Sequence, residues 1–327
     1  MGMKIQPAGH AARLQRWGYF FVLPFIVIYA VFHLYPIFNT FFLAFMRDEG
    51  AGVRPVFAFA GLENFSRLLW RACEETGARG DAQFWGALQN TFIIWGWNFV
   101  PQIGLALLLS IWLSDSRLNL KLRAPFRAII YLPNLLTAAS VAMLFRSIFE
   151  FPQGPMNQFL IQVLGVTTEE IHFFRSVPIS RGVVSFIQFW MWYGHTVILL
   201  MAGITSISAT YFEAARIDGA GSWQTTWRIT LPLLRPIILF VLVTSMIGGM
   251  QMLEIPLLLT GDLLGGPNFS TRTSMVYVYN VGFDGMFDKA YAAAISVGIF
   301  AITFIMAVVI FFFLRDRSDL GKNRSSY

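Results

Sequence analysis

Long apolar stretches alternate with short polar intervals along the chain. Runs at about Gly18–Phe45, Leu88–Leu113, Ala128–Phe149, Val183–Ile207, Ile237–Leu259 and Tyr291–Leu314 are each long enough, at 1.5 Å per helical residue, to cross about 30 Å of hydrocarbon. The pattern predicts an all-α integral membrane protein of six transmembrane helices. Pro24 and Pro36 predict kinks in the first, and Pro133 and Asn134 lie near the start of the third. Short helices are expected at about Leu62–Trp70 and from Pro155 to Leu160, in polar segments between spans. Residues 1–17 and 315–327 are polar, basic tails flanking one transmembrane domain over 18–314. No repeat or linker divides that domain.

Tyr211–Pro236 is the polar interval with the most internal structure. Thr210 and Glu213 have capping-box spacing for a helix start. Gly219 can take positive φ to close that helix, and Ser222 can cap a second. On the second, Trp223, Trp227 and Leu231 form a stripe placed to hold the loop against the neighbouring spans, and Pro232 and Pro236 mark its end. Periodicity alone describes a capped amphipathic hairpin on a membrane surface.

Composition agrees with the apolar pattern: 56% of the 327 residues are hydrophobic, 13% are charged and the mean hydropathy is +0.59. The net charge of +6 is spread among apolar spans rather than gathered into a patch, so nucleic acid is not an expected partner. With both termini cytoplasmic, the inner segments hold 14 Lys/Arg and the outer ones 10, the sense that the positive-inside rule requires. Cys73 is the single cysteine and the four histidines are dispersed, so no metal site is expected. Phosphate-loop, zinc-protease and nucleophile-elbow motifs are absent. No catalytic residue and no cofactor is assigned to the chain, which is read as a transporter and not an enzyme.

Polar groups within spans must find a partner or line a wet cavity. Gln188, Trp192 and His195 recur at i, i+4 and i+7 on one face of the fourth span, and the fifth adds Gly248, Gln251 and Glu254. These suit a polyhydroxylated cargo, because hydroxyls take planar hydrogen-bonding groups and sugar rings stack on aromatic faces. The competing roles are helix-to-helix hydrogen bonds for Gln188 and Gln251, packing for His195, and an interfacial carboxylate for Glu254. In the second span, Asn90, Asn98, Pro101, Gln102, Trp95 and Trp97 hint at an inward face.

The order Glu213-Ala214-Ala215, Gly219, Ile229, Leu231-Pro232 resembles the EAA signature of ABC importer permeases. Leu34-Tyr35-Pro36-Ile37, Gly154-Pro155-Met156-Asn157, Gly265-Gly266-Pro267 with Thr271, Thr273 and Tyr279, and Tyr291-Ala292-Ala293-Ala294-Ile295-Ser296 resemble the carbohydrate-type branch, in its first-permease subunit. Thr260 is separated from Gly265 by more residues than in that pattern. The resemblance implies that residues 208–236 form a cytoplasmic coupling loop docking on an ATPase, with Glu213, Ala214, Ala215, Asp218, Gly219, Leu231 and Pro232 as its coupling residues. It also implies a second permease subunit, two copies of a cytoplasmic ATPase that bind the ATP and Mg, an extracytoplasmic solute-binding protein, a sugar cargo and a prokaryotic cytoplasmic membrane. Two alternatives are the same machinery carrying glycerol-3-phosphate or a related polyol ester, and an ion-coupled secondary transporter relaying protons through Glu254 and His195.

Overall fold

The computed structural model describes residues 8–50, 56–70, 80–114, 123–261, 265–284 and 286–314. Cys73, most of the basic segment after Ser114, residues 1–7 of the N-terminal tail and all of the C-terminal tail at 315–327 lie outside the described residues. Five single helices are long and apolar enough to cross a membrane: Tyr19–Ala44, Ala82–Ser114, Val177–Ser206, Ser222–Met250 and Lys289–Phe313. A bent pair, Ala124–Leu135 and Ala138–Ile148, supplies a sixth if counted as one span. These are spans one, two, four, five, six and three in chain order. Among the described residues the helical pattern is broken by one short antiparallel pairing, Met46–Asp48 with Phe57–Phe59, where Arg47 faces Ala58.

Span three does not run straight. Its halves meet at 87°, because Pro133 sits in a 3-10 turn and Thr137 then caps a new helix by accepting from the Ser140 amide at 3.3 Å. Spans one and five contain a different device. A π-helical turn at Ala30–Leu34 is closed by the Tyr35 amide donating to the Ala30 carbonyl, and a second at Thr226–Thr230 by the Leu231 amide donating to Thr226. Each closing residue precedes a proline, Pro36 or Pro232, so the wide turn absorbs a position that has no amide to donate. The helix therefore continues through Pro232 and Pro236, contrary to the expectation that these prolines end it.

Span five stops earlier than its apolar composition suggests. It ends at Met250 rather than Leu259, and Glu254–Leu259 forms a separate helix packed on Ala138–Ile148. Gly248 and Gly249 weaken the last turn, and Pro256 fits the first turn of a new helix better than the interior of an old one.

The core lies between spans two and four, whose contact is the most extensive in the molecule. Glycines of span four bring it close to its other neighbours: a Cβ on Gly194 would lie 2.0 Å from the carbonyl oxygen of Ile130 in span three, and one on Gly203 would lie 2.4 Å from Cδ1 of Ile237 in span five. The segment before span six also folds into this core. Its helix Ser274–Phe283 buries Tyr277, Val278 and Val281 against Phe84 of span two and Tyr291 of span six. Asp81 fastens these elements together, capping span two through the Gln83 and Phe84 amides while accepting from the hydroxyls of Tyr277 and Tyr291 at 2.6 Å each. Helix Glu63–Leu69 is packed rather than superficial: Leu68 is buried, and Asn64 donates to the carbonyls of Ala44 and Met46 at the end of span one. The short helix Pro155–Gln158 buries Asn157, which bridges Pro152 and Ile171. Span one stands apart, with large apolar side chains exposed from Tyr19 to Phe42 and buried contact beginning only at Ala44, against Ala293 and Ala294.

Candidate functional site

Two cavities flank spans four and five, the smaller on the side of span two and the larger on the side of spans three and six. The smaller, about 130 Å³, is lined by Trp95, Asn98 and Gln102 of span two, Gln188, Trp192, His195 and Thr196 of span four, and Thr244, Ser245, Gly248 and Gly249 of span five. The larger, about 1090 Å³, adds Gln251, Glu254 and Asn134 and reaches span six at Ser296, Phe300 and Thr303. Gln188, Trp192, Gly248 and Met252 line both, so they form the partition between the two.

The five predicted pathway residues thus reach one region, but in different roles. Gln188 is 8% exposed and has no hydrogen-bond partner among the described residues, so its amide is available to a hydroxyl in the cavity rather than spent on a neighbouring helix. Trp192 is half exposed and meets His195 edge to face at 6.0 Å. His195 lines only the smaller cavity and Glu254 only the larger. Gln251 and Glu254 do not continue the helical face of Gly248, because the chain breaks after Met250; Gln251 sits at the helix end and Glu254 begins the next helix.

Several lining groups were not assigned to the site from sequence. Trp95, Asn98 and Gln102 recur at i, i+3 and i+7 on span two, a one-faced polar pattern parallel to that of Gln188, Trp192 and His195. Gln102 donates to the Thr196 hydroxyl at 2.8 Å, and Trp95 donates from Nε1 to the Ser245 hydroxyl at 3.3 Å. Such bonds hold the wall still while leaving other polar atoms free for cargo. Trp97, by contrast, is exposed on the outer face.

The loop after span four has its own geometry. Its first helix is Ala209–Ile217, preceded by Ser208, so Thr210 and Glu213 lie inside it and the expected capping box is not the start signal. Gly219 closes the helix at φ +72°, and Gly221 precedes the next, receiving the Gln224 side chain on its amide. Ser222 is therefore the first helical residue rather than the cap. Glu213, Ala214, Asp218, Gly219 and Pro232 are exposed, Leu231 is half-buried and Ala215 is buried. Trp223 and Trp227 do not hold the loop to the spans. They lean on one another at 5.4 Å and are 74% and 55% exposed. Anchoring falls to Ala215, Thr225, Thr230 and Leu234, all buried. Small side chains there permit close approach to the foot of span four, whereas an indole would hold it off.

The decisive feature is continuity. Ser222–Met250 is one helix of 29 residues, about 43 Å long. It carries the second half of the loop at one end and Thr244, Ser245, Gly248 and Gly249 of the cavity wall near the other.

A multi-pass helical membrane protein with a polar cavity among its spans is the class that this architecture defines. Residues 102–318 match the family described as the binding-protein-dependent transport system inner membrane component, and the chain belongs to that family. It is 32% identical over 302 residues to the lactose transport system permease protein LacF of Rhizobium radiobacter, covering 92% of this chain and 94% of LacF. Identity to the arabinooligosaccharides transport system permease protein AraP of Bacillus subtilis is 26% over 315 residues, covering 93% of this chain and 94% of AraP. The fold matches a chain from a bacterial ABC transporter involved in the import of the acidic polysaccharide alginate, with a TM-score of 0.68, 23% identity and coverage of 97% and 99%.

Proposed function

We propose that this chain is a permease subunit of an ATP-driven importer and forms part of the membrane path for a neutral sugar or oligosaccharide. The observation that carries the reading is the single helix Ser222–Met250, which joins the second half of the loop to the cavity wall without a break. Both termini and residues 208–236 face the cytoplasm, in a prokaryotic inner membrane. The exposed ridge of Glu213, Ala214, Asp218 and Gly219 docks on a cytoplasmic ATPase. A second permease subunit, two ATPase copies and an external solute-binding protein complete the assembly, and the bare face of span one offers apolar surface to the second permease or to lipid. ATP binding draws the paired loops together, and span five carries that displacement to Gly248, shifting the cavity between inward and outward access.

The cavities also favour one cargo class. Their lining contains amides, hydroxyls, indoles, one imidazole and one carboxylate, and no lysine or arginine among the described residues. A phosphate ester would require a cation there. A proton relay through Glu254 and His195 is disfavoured because the two line different cavities.

The test places single cysteines at Ala214, which is exposed, and at Ala215, which is buried, in a Cys73-replaced background. Ala214→Cys should crosslink to the co-expressed ATPase in an ATP-dependent manner and Ala215→Cys should not. An inserted, uptake-competent protein with no crosslink at Ala214 or along the adjoining ridge would overturn the docking assignment.

A further inference from the structure

A third cavity, about 320 Å³, lies at the opposite end of the molecule from the coupling loop, lined by Gln83, Gln89, Asn90, Asn268, Phe269 and Arg272. It shares no lining residue with the two cargo cavities. Arg272 is 7% exposed, forms no ion pair among the described residues, and its Nε is buried without a partner. Its guanidinium instead lies over two rings, 4.2 Å from the centroid of Phe269 and 5.3 Å from that of Tyr277. Asp81, the acid whose charge reaches it, is already committed to two phenols and two amides. Aromatic faces offset part of the cost of burying a cation but leave its hydrogen-bonding capacity unused.

The surrounding loop is built to hold this arrangement. Gly265, Gly266, Asn268 and Phe269 all take positive φ, which curls the chain so tightly that a Cβ on Gly265 would lie 2.5 Å from Arg272 Cβ. Arg181, near the start of span four, braces the same loop through the Ser270 carbonyl and the Asn90 side chain. A second guanidinium therefore stands behind the cavity wall and raises its positive potential.

We infer that this cavity is a carboxylate socket, and that its occupant is an acidic side chain of the external solute-binding protein. The inference rests on the importer reading above for its orientation. Span four runs about 38 Å from Arg181 to the coupling loop, so when the loop faces the cytoplasm the socket faces the side on which the binding protein docks. A planar carboxylate matches the guanidinium, and contact with the two rings restrains it for that pairing.

The complete transporter in lipid nanodiscs is titrated with sugar-loaded binding protein, reading stimulated ATP hydrolysis. Arg272→Gln should raise the half-saturating concentration roughly tenfold to a hundredfold, with the rate recovering at high concentration. Gln89→Glu, which puts a carboxylate on the same cavity wall, should weaken docking similarly while leaving the melting temperature unchanged or higher. If Arg272→Gln fails to assemble, Gln89→Glu and Gln83→Glu decide the matter. Wild-type half-saturation in the variants that assemble overturns the socket alone. Free glucuronate that binds the wild type but not Arg272→Gln, and leaves the half-saturating concentration of binding protein unchanged, would assign the site to a sugar carboxylate and overturn the docking partner. No stimulation of the wild-type complex would sink the importer reading, and the socket with it.

Discussion

Gly248 and Gly249 are neighbours in sequence but face different surroundings, and replacing each by alanine separates packing from cargo space. A Cβ on Gly249 would lie 2.3 Å from Trp95 Cδ1 and 2.8 Å from Cγ. Ordinary carbon contact begins near 3.5 Å, so the indole must move by about 1 Å. That displacement breaks the Trp95–Ser245 hydrogen bond of 3.3 Å and disturbs the stack on Phe99 at 5.0 Å. Overpacking costs about 1–3 kcal/mol, the lost bond about 1, and the helix propensity of alanine returns up to about 1, for a net loss of about 1–4 kcal/mol. A Cβ on Gly248 meets nothing within 4 Å and enters the space shared by the two cavities. Gly248→Ala should therefore keep or gain up to about 1 kcal/mol of stability, and its cost should appear in transport. Thermal unfolding of the purified complex and uptake of saccharides of increasing length measure the two effects. Gly249→Ala should melt a few degrees lower. Gly248→Ala should melt normally with a raised KM that worsens with cargo length, and Gly248→Leu should block uptake. Equal destabilisation by the two alanines, or normal uptake by Gly248→Leu, would refute the reasoning.

Three further outcomes follow from named contacts. Gly219→Val must hold a β-branched residue at φ +72°, costing about 1–2 kcal/mol locally, and should reduce uptake far more than ATP hydrolysis; proportional loss of both would count against a coupling role. Asp81→Ala removes a helix cap and two charge-assisted bonds and should cost about 3 kcal/mol or more; an unchanged melting temperature would mean that Tyr277 and Tyr291 find other acceptors. Gln188→Ala and Trp192→Ala should raise the uptake KM by about tenfold without loss of membrane-inserted protein, since an aromatic or hydrogen-bonding contact of about 1–2 kcal/mol is removed; normal kinetics in both would remove these residues from the path.

The alternation of apolar and polar segments was enough to locate five long helices and the bent pair between the second and the fourth spans, and to single out the loop after Ile207, because hydrocarbon forces each crossing segment to satisfy its own backbone. The same one-face logic found Gln188, Trp192 and His195, whose spacing lies within one regular helix. It applied equally to Trp95, Asn98 and Gln102, where the polar run was visible but its partner helix was not. Sequence patterning could not decide how helices end when several physical effects compete. Pro232 and Pro236 read as terminators, yet a π turn absorbed the first and span five continued. Gly248, Gly249 and Pro256 together stopped that span at Met250, so Gln251 and Glu254 left its face. Trp223 and Trp227 formed a convincing stripe, but a periodic apolar face reports only that something must cover it, and no described part of this chain does. The orphaned guanidinium of Arg272 depends on residues far apart in sequence meeting around one loop. Local sequence thus determined which segments are helical and apolar; only the packed structure decided which faces meet, where a helix yields to glycine or proline, and which polar groups remain for a ligand, because those depend on contacts between distant segments.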